Sequence, residues 1–79
     1  MSDVSQRLIK VVARELRVPE SSITAASTFQ EDLGADSLAL TRLGMALESE
    51  FSCTILDDDA ELITTVDGMA TYIEGRLPA

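Results

Sequence analysis

Three stretches of this 79-residue chain repeat apolar side chains at helical spacing, and no stretch alternates them as a strand would. Val4, Leu8, Val11, Val12 and Leu16 form the first stripe, after Ser2 as its cap. Leu40, Leu43, Leu47 and Phe51 form the second, on a segment predicted to be helical over 37–51. The third runs through Val66, Met69, Ala70, Ile73 and Leu77; Thr64 and Asp67 have capping-pair spacing at its start, and Pro78 closes it. Pro19 disfavours helical geometry at Val18, so the first helix should stop before it. Residues 18–36 then make a long connection with apolar anchors at Ile23, Phe29 and Leu33. Ile55 and Leu56 lead into an acidic segment, 57–62, long enough for one short helical turn. The expectation is an all-α fold of three longer helices and one short one, with a long first loop, forming one domain over residues 1–79.

Composition narrows what such a domain can do. The formal charge is −8, and it is unevenly placed. Arg7, Lys10, Arg14 and Arg17 all fall in the first twenty residues, whereas residues 21–79 carry eleven acids against Arg42 and Arg76, a local charge of −9. Nucleic-acid binding requires clustered cations, so that class is excluded. An acidic surface instead steers basic protein surfaces toward it. Histidine is absent and Cys53 is the only cysteine, which removes the commonest general base, the commonest zinc ligand and any intrachain disulfide. No long apolar run is present, so neither a secretory signal nor a membrane span is expected, and the compartment is read as the cytoplasm.

The chemistry of the chain concentrates at Gly34-Ala35-Asp36-Ser37-Leu38. Asp36 has the position of a helix cap, which puts Ser37 in the first turn with an exposed hydroxyl beside unpaired backbone N–H groups. A helix start of this kind favours negative charge, including a phosphate esterified to the serine. Ser37 does not suit a hydrolase. The chain has no histidine, lacks a Gly-x-Ser-x-Gly elbow, and has in Lys10 a lone lysine that nothing places near the serine. The acidic run 57–61 has three consecutive Asp and no Gly, so it fails the calcium-loop pattern, and no metal site is assigned. On the second helix Leu38, Arg42, Met45 and Ser49 share the side opposite the core stripe, and Leu38 and Met45 there read as a docking patch.

Asp36-Ser37-Leu38, followed by Met45-Ala46-Leu47-Glu48-Ser49-Glu50-Phe51, resembles an acyl carrier protein over nearly the whole chain. The resemblance implies a non-enzymatic carrier. Its 4′-phosphopantetheine arm comes from coenzyme A, is attached at Ser37 beside Asp36, and holds acyl cargo as a thioester. It implies a phosphopantetheinyl transferase and acyl-transferring and synthase enzymes of fatty-acid, lipid or polyketide biosynthesis as partners, met through Leu38, Arg42, Met45 and Glu48, with the carrier acting as a monomer. Ala39, Arg42 and Ser49 stand where general fatty-acid carriers usually have acids, with Glu48 and Glu50 keeping acidity only near the helix end. Gly44 stands where a larger apolar residue is expected. These departures favour a specialised carrier over a housekeeping one. The alternatives are an unmodified acidic interaction module and a peptidyl or aminoacyl carrier.

Overall fold

The computed structural model describes residues 3–77, all four helices lying within them. Helix α1 spans Asp3–Leu16, α2 Ser37–Phe51, α3 Asp57–Leu62 and α4 Val66–Arg76. Among the described residues there is no strand, only an isolated bridge between Thr28 and Thr65. Ser2 and Pro78, expected to bound the first and last helices, lie outside the described residues.

The apolar stripes close on one another in a single cluster. Leu8, Val12, Leu43, Leu47, Val66 and Ile73 are its largest fully buried side chains. Burying each of the leucines or isoleucines contributes about 1.5–3 kcal/mol, so the interior is aliphatic with Phe29 and Phe51 as its aromatic members. Helix α1 packs against both α2 and α4. Leu40, placed on the core stripe by periodicity, is only half-buried because it sits at the edge of that cluster.

Helix α1 ends before Pro19 is reached. Arg17 turns left-handed (φ 57°) and the Val18 amide donates back to the Ala13 carbonyl at 3.1 Å, a Schellman closure without glycine. Helix α2 ends the same way: Ser52 is left-handed (φ 51°) and the Cys53 amide donates to the Glu48 carbonyl.

The long connection is not loose. It holds one 3₁₀ turn, Glu20–Ser22, and buries Ile23, Phe29 and Leu33. Its backbone is stitched to the start of α4: the Phe29 amide donates to the Thr64 carbonyl, Val66 to Ser27, and Asp67 to Ala25. This stitching corrects the expected cap of α4. Thr65, not Thr64, is the capping residue, its hydroxyl accepting from the Gly68 amide at 3.1 Å. Thr64 has its carbonyl committed across the loop, so the helix begins one residue later.

Candidate functional site

Leu33 and Ala35 anchor the approach to α2 by burial, and Gly34 between them takes φ +73°, which L side chains rarely adopt. The Ala35 amide donates to the Phe29 carbonyl at 2.8 Å and closes the turn. Asp36 follows in extended geometry as the cap of α2, its carboxylate accepting from the Ala39 amide at 2.8 Å. The Leu40 amide takes the Asp36 carbonyl.

Ser37 is therefore the first residue of α2 and is exposed. Its carbonyl accepts from the Thr41 hydroxyl, whereas its own hydroxyl has no hydrogen-bond partner among the described residues. The amides of Ser37 and Leu38 precede the first intrahelical bond and are left without carbonyl partners of their own helix. A free hydroxyl, unpaired N–H groups and the positive end of a fifteen-residue helix together suit a phosphoester. The residues present fit a phosphate-linked prosthetic group.

Beside Ser37 opens a groove of about 910 Å³ between α2, α3 and the long connection. Phe29, Leu40, Ile55, Ile63 and Met69 are its apolar members, beside polar ones that include Thr28, Glu31, Thr41, Asp57 and Glu61. A Cβ added at Gly44 would meet nothing within 4 Å, so the missing side chain widens the groove.

The sequence-predicted partner-binding residues fall into two groups. Leu38 and Met45 are 60% and 65% exposed, and Arg42 is exposed with no ion pair among the described residues. Glu48 is half-buried, and its carboxylate accepts from the Ile55 amide at 2.9 Å. It shapes the turn into α3 instead of standing free on the outward face. Glu50 is also engaged: Arg7 binds its carboxylate at 2.9 Å and its carbonyl at 2.8 Å, with the guanidinium 4.6 Å from the centre of the Phe51 ring. Both acids near the end of α2 thus serve the fold, which spacing alone does not reveal.

Tyr72 was legible in the sequence only as the one tyrosine, yet it joins two elements of this region. Its hydroxyl donates to the Asp59 carboxylate at 2.8 Å and accepts from the Leu56 amide at 3.4 Å. Partial burial of the phenol, and next its bond to Asp59, hold its pKa above the ordinary tyrosine value; the Leu56 amide and Arg76 pull the other way. Among the described residues no three His, Cys, Asp or Glu side chains converge on a metal position, and no helix is long and apolar enough to cross a membrane.

The family model described as "Phosphopantetheine attachment site" matches residues 6–73, from the first helix to the last and through the whole Asp36-Ser37 turn. With a free serine hydroxyl at a phosphate-favouring helix start inside that span, the chain belongs to the phosphopantetheine-attachment family of carrier proteins, whose members bear a covalent 4′-phosphopantetheine group.

Proposed function

We propose that Ser37 carries the phosphopantetheine arm and that the protein is a specialised acyl carrier. The observation that carries this reading is the exposed Ser37 hydroxyl at the first position of α2, without a hydrogen-bond partner among the described residues. In attachment, its oxygen bonds to the pantetheine-bearing phosphorus of coenzyme A, the pyrophosphate link breaks to release adenosine 3′,5′-bisphosphate, and the serine proton passes to a base on the transferase. Asp36 keeps the helix start intact, and the first-turn amides of Ser37 and Leu38, with no carbonyl partners in their own helix, favour negative charge there. When bound, the arm supplies a terminal thiol that holds cargo as a thioester. The groove beside Ser37 shelters the cargo chain against its apolar members, and Gly44 makes room for it.

Leu38 and Met45 offer apolar contact on the outward face, and Arg42 between them presents a free positive charge. Enzymes that recognise general fatty-acid carriers through basic patches meet like charge there, which disfavours them. A dedicated acyl-transferring or synthase enzyme with an acceptor opposite Arg42 fits better. Intact mass after incubation with coenzyme A and a phosphopantetheinyl transferase tests the attachment. The wild type should gain one phosphopantetheine group and Ser37→Ala none, with the helical signal retained because Asp36 still caps α2. Modification of the alanine variant would place the arm elsewhere, and an unmodified wild type would favour an interaction module.

A further inference from the structure

Helix α3 contributes nothing to the core. None of its residues is buried, Leu62 is 82% exposed, and its capping position, Leu56, makes no side-chain cap. A six-residue helix has no stability of its own, because nucleation costs more than so few bonds return. Yet Asp57, Ala60 and Glu61 form one wall of the groove beside Ser37. Something outside α3 must hold that wall in place.

The flanking residues are anchored in the core or at its edge. Ile55 is buried before the helix, and Ile63 is half-buried after it. Between these points, the described side chain that grips α3 from another element is Tyr72 on α4. Its hydroxyl reaches the Leu56 amide at the start of α3 and the Asp59 carboxylate at its middle. Arg76 stacks over the same ring at 5.2 Å and steadies it.

We propose that Tyr72 is a positioning residue that clasps α3 in place, so that the width of the groove, and with it the cargo sheltered there, is set from α4. Losing the clasp lets α3 swing on Ile55 and Ile63 and opens the groove to water. The consequence for cargo rests on the carrier reading above, whereas the clasp does not.

Hydrogen exchange on the full-length protein without an arm isolates the clasp. Tyr72→Phe should speed exchange of the α3 amides at least about five- to tenfold, the scale of a single ordinary hydrogen bond, because it loses the Asp59 bond and the longer Leu56 contact together, with α1 and α2 unchanged. Asp59→Ala cuts one of the two bonds, leaves the Leu56 contact, and should speed exchange of the same amides by a smaller factor. The double variant should exchange no faster than Tyr72→Phe alone, since the bond to Asp59 is already lost there. As the only tyrosine, Tyr72 also reports directly by absorbance, and its titration midpoint should fall in Asp59→Ala. Unchanged α3 exchange in both single variants, additive effects in the double variant, or an unmoved midpoint would overturn the clasp. On octanoyl-loaded protein, hydroxylamine should cleave the thioester faster in Tyr72→Phe. A wild-type cleavage rate in a variant whose α3 has loosened would overturn the control of cargo by Tyr72.

Discussion

Gly44 shows how one residue acts on helix and groove at once. A glycine inside a helix costs about 0.5–1 kcal/mol relative to alanine, and here the added Cβ would meet only open space. Gly44→Ala should therefore raise the melting temperature by roughly 2–8 °C in thermal denaturation, the range that follows for a chain of this size. Gly44→Val gives back part of that gain through its branched Cβ and fills the groove more. A long acyl thioester on Gly44→Val should be cleaved faster by hydroxylamine than on wild type. An unchanged cleavage rate would mean that cargo does not lie against Gly44. Glu48, expected from the sequence to meet partners, also accepts from the Ile55 amide, a bond that helical spacing does not reveal.

At the scale of elements, the helix ends show where stability has been left unclaimed. Arg17 and Ser52 both adopt the left-handed geometry that closes a helix, although a Cβ there costs about 1–2 kcal/mol. Glycine relieves that strain but adds freedom to the unfolded chain, so the net gain from Ser52→Gly is about 0.5–1 kcal/mol. The variant should unfold at higher denaturant with an unchanged slope. A lower midpoint would mean that the Ser52 side chain contributes more than its backbone strain costs. Helix α2 was fully legible, since Asp36 marks its start and the leucine stripe runs out at Phe51. The start of α4 was not. Thr64 and Thr65 are chemically equal as caps, and the loop bond from Phe29 to Thr64 decides between them.

Across the whole molecule, charge is sorted by face. Cations gather on α1, where Arg7 pairs with Glu50 and Arg14 with Glu15, while α3 begins with three aspartates. Arg42, on the outward side of α2, is a cation with no ion pair among the described residues. Replacing it with glutamate should improve recognition by enzymes with basic docking patches and weaken a dedicated interaction. The measurement is the loading of holo wild type and Arg42→Glu by a housekeeping malonyl transferase over a range of salt concentrations. The Glu variant should load faster at low salt, with the advantage shrinking as salt screens the contact. Equal rates throughout would remove Arg42 from partner choice.

The sequence by itself determined the helices, most of the core and the serine. Each of these rests on local spacing: apolar stripes at the helical period, a cap one residue before Ser37, and isolated apolar anchors at Ile23, Phe29 and Leu33 in the first connection. Only the tertiary structure decided what the acids of α2 bind, where α4 begins, and what holds α3. Those outcomes join residues far apart in the chain, Arg7 with Glu50, Phe29 with Thr64, and Tyr72 with Asp59. Side-chain periodicity carries no information about such pairings. Phe29 with Thr64 and Tyr72 with Asp59 satisfy buried or half-buried polar groups once the apolar faces have closed, whereas the exposed Arg7–Glu50 pair forms because that closure sets α1 beside the end of α2.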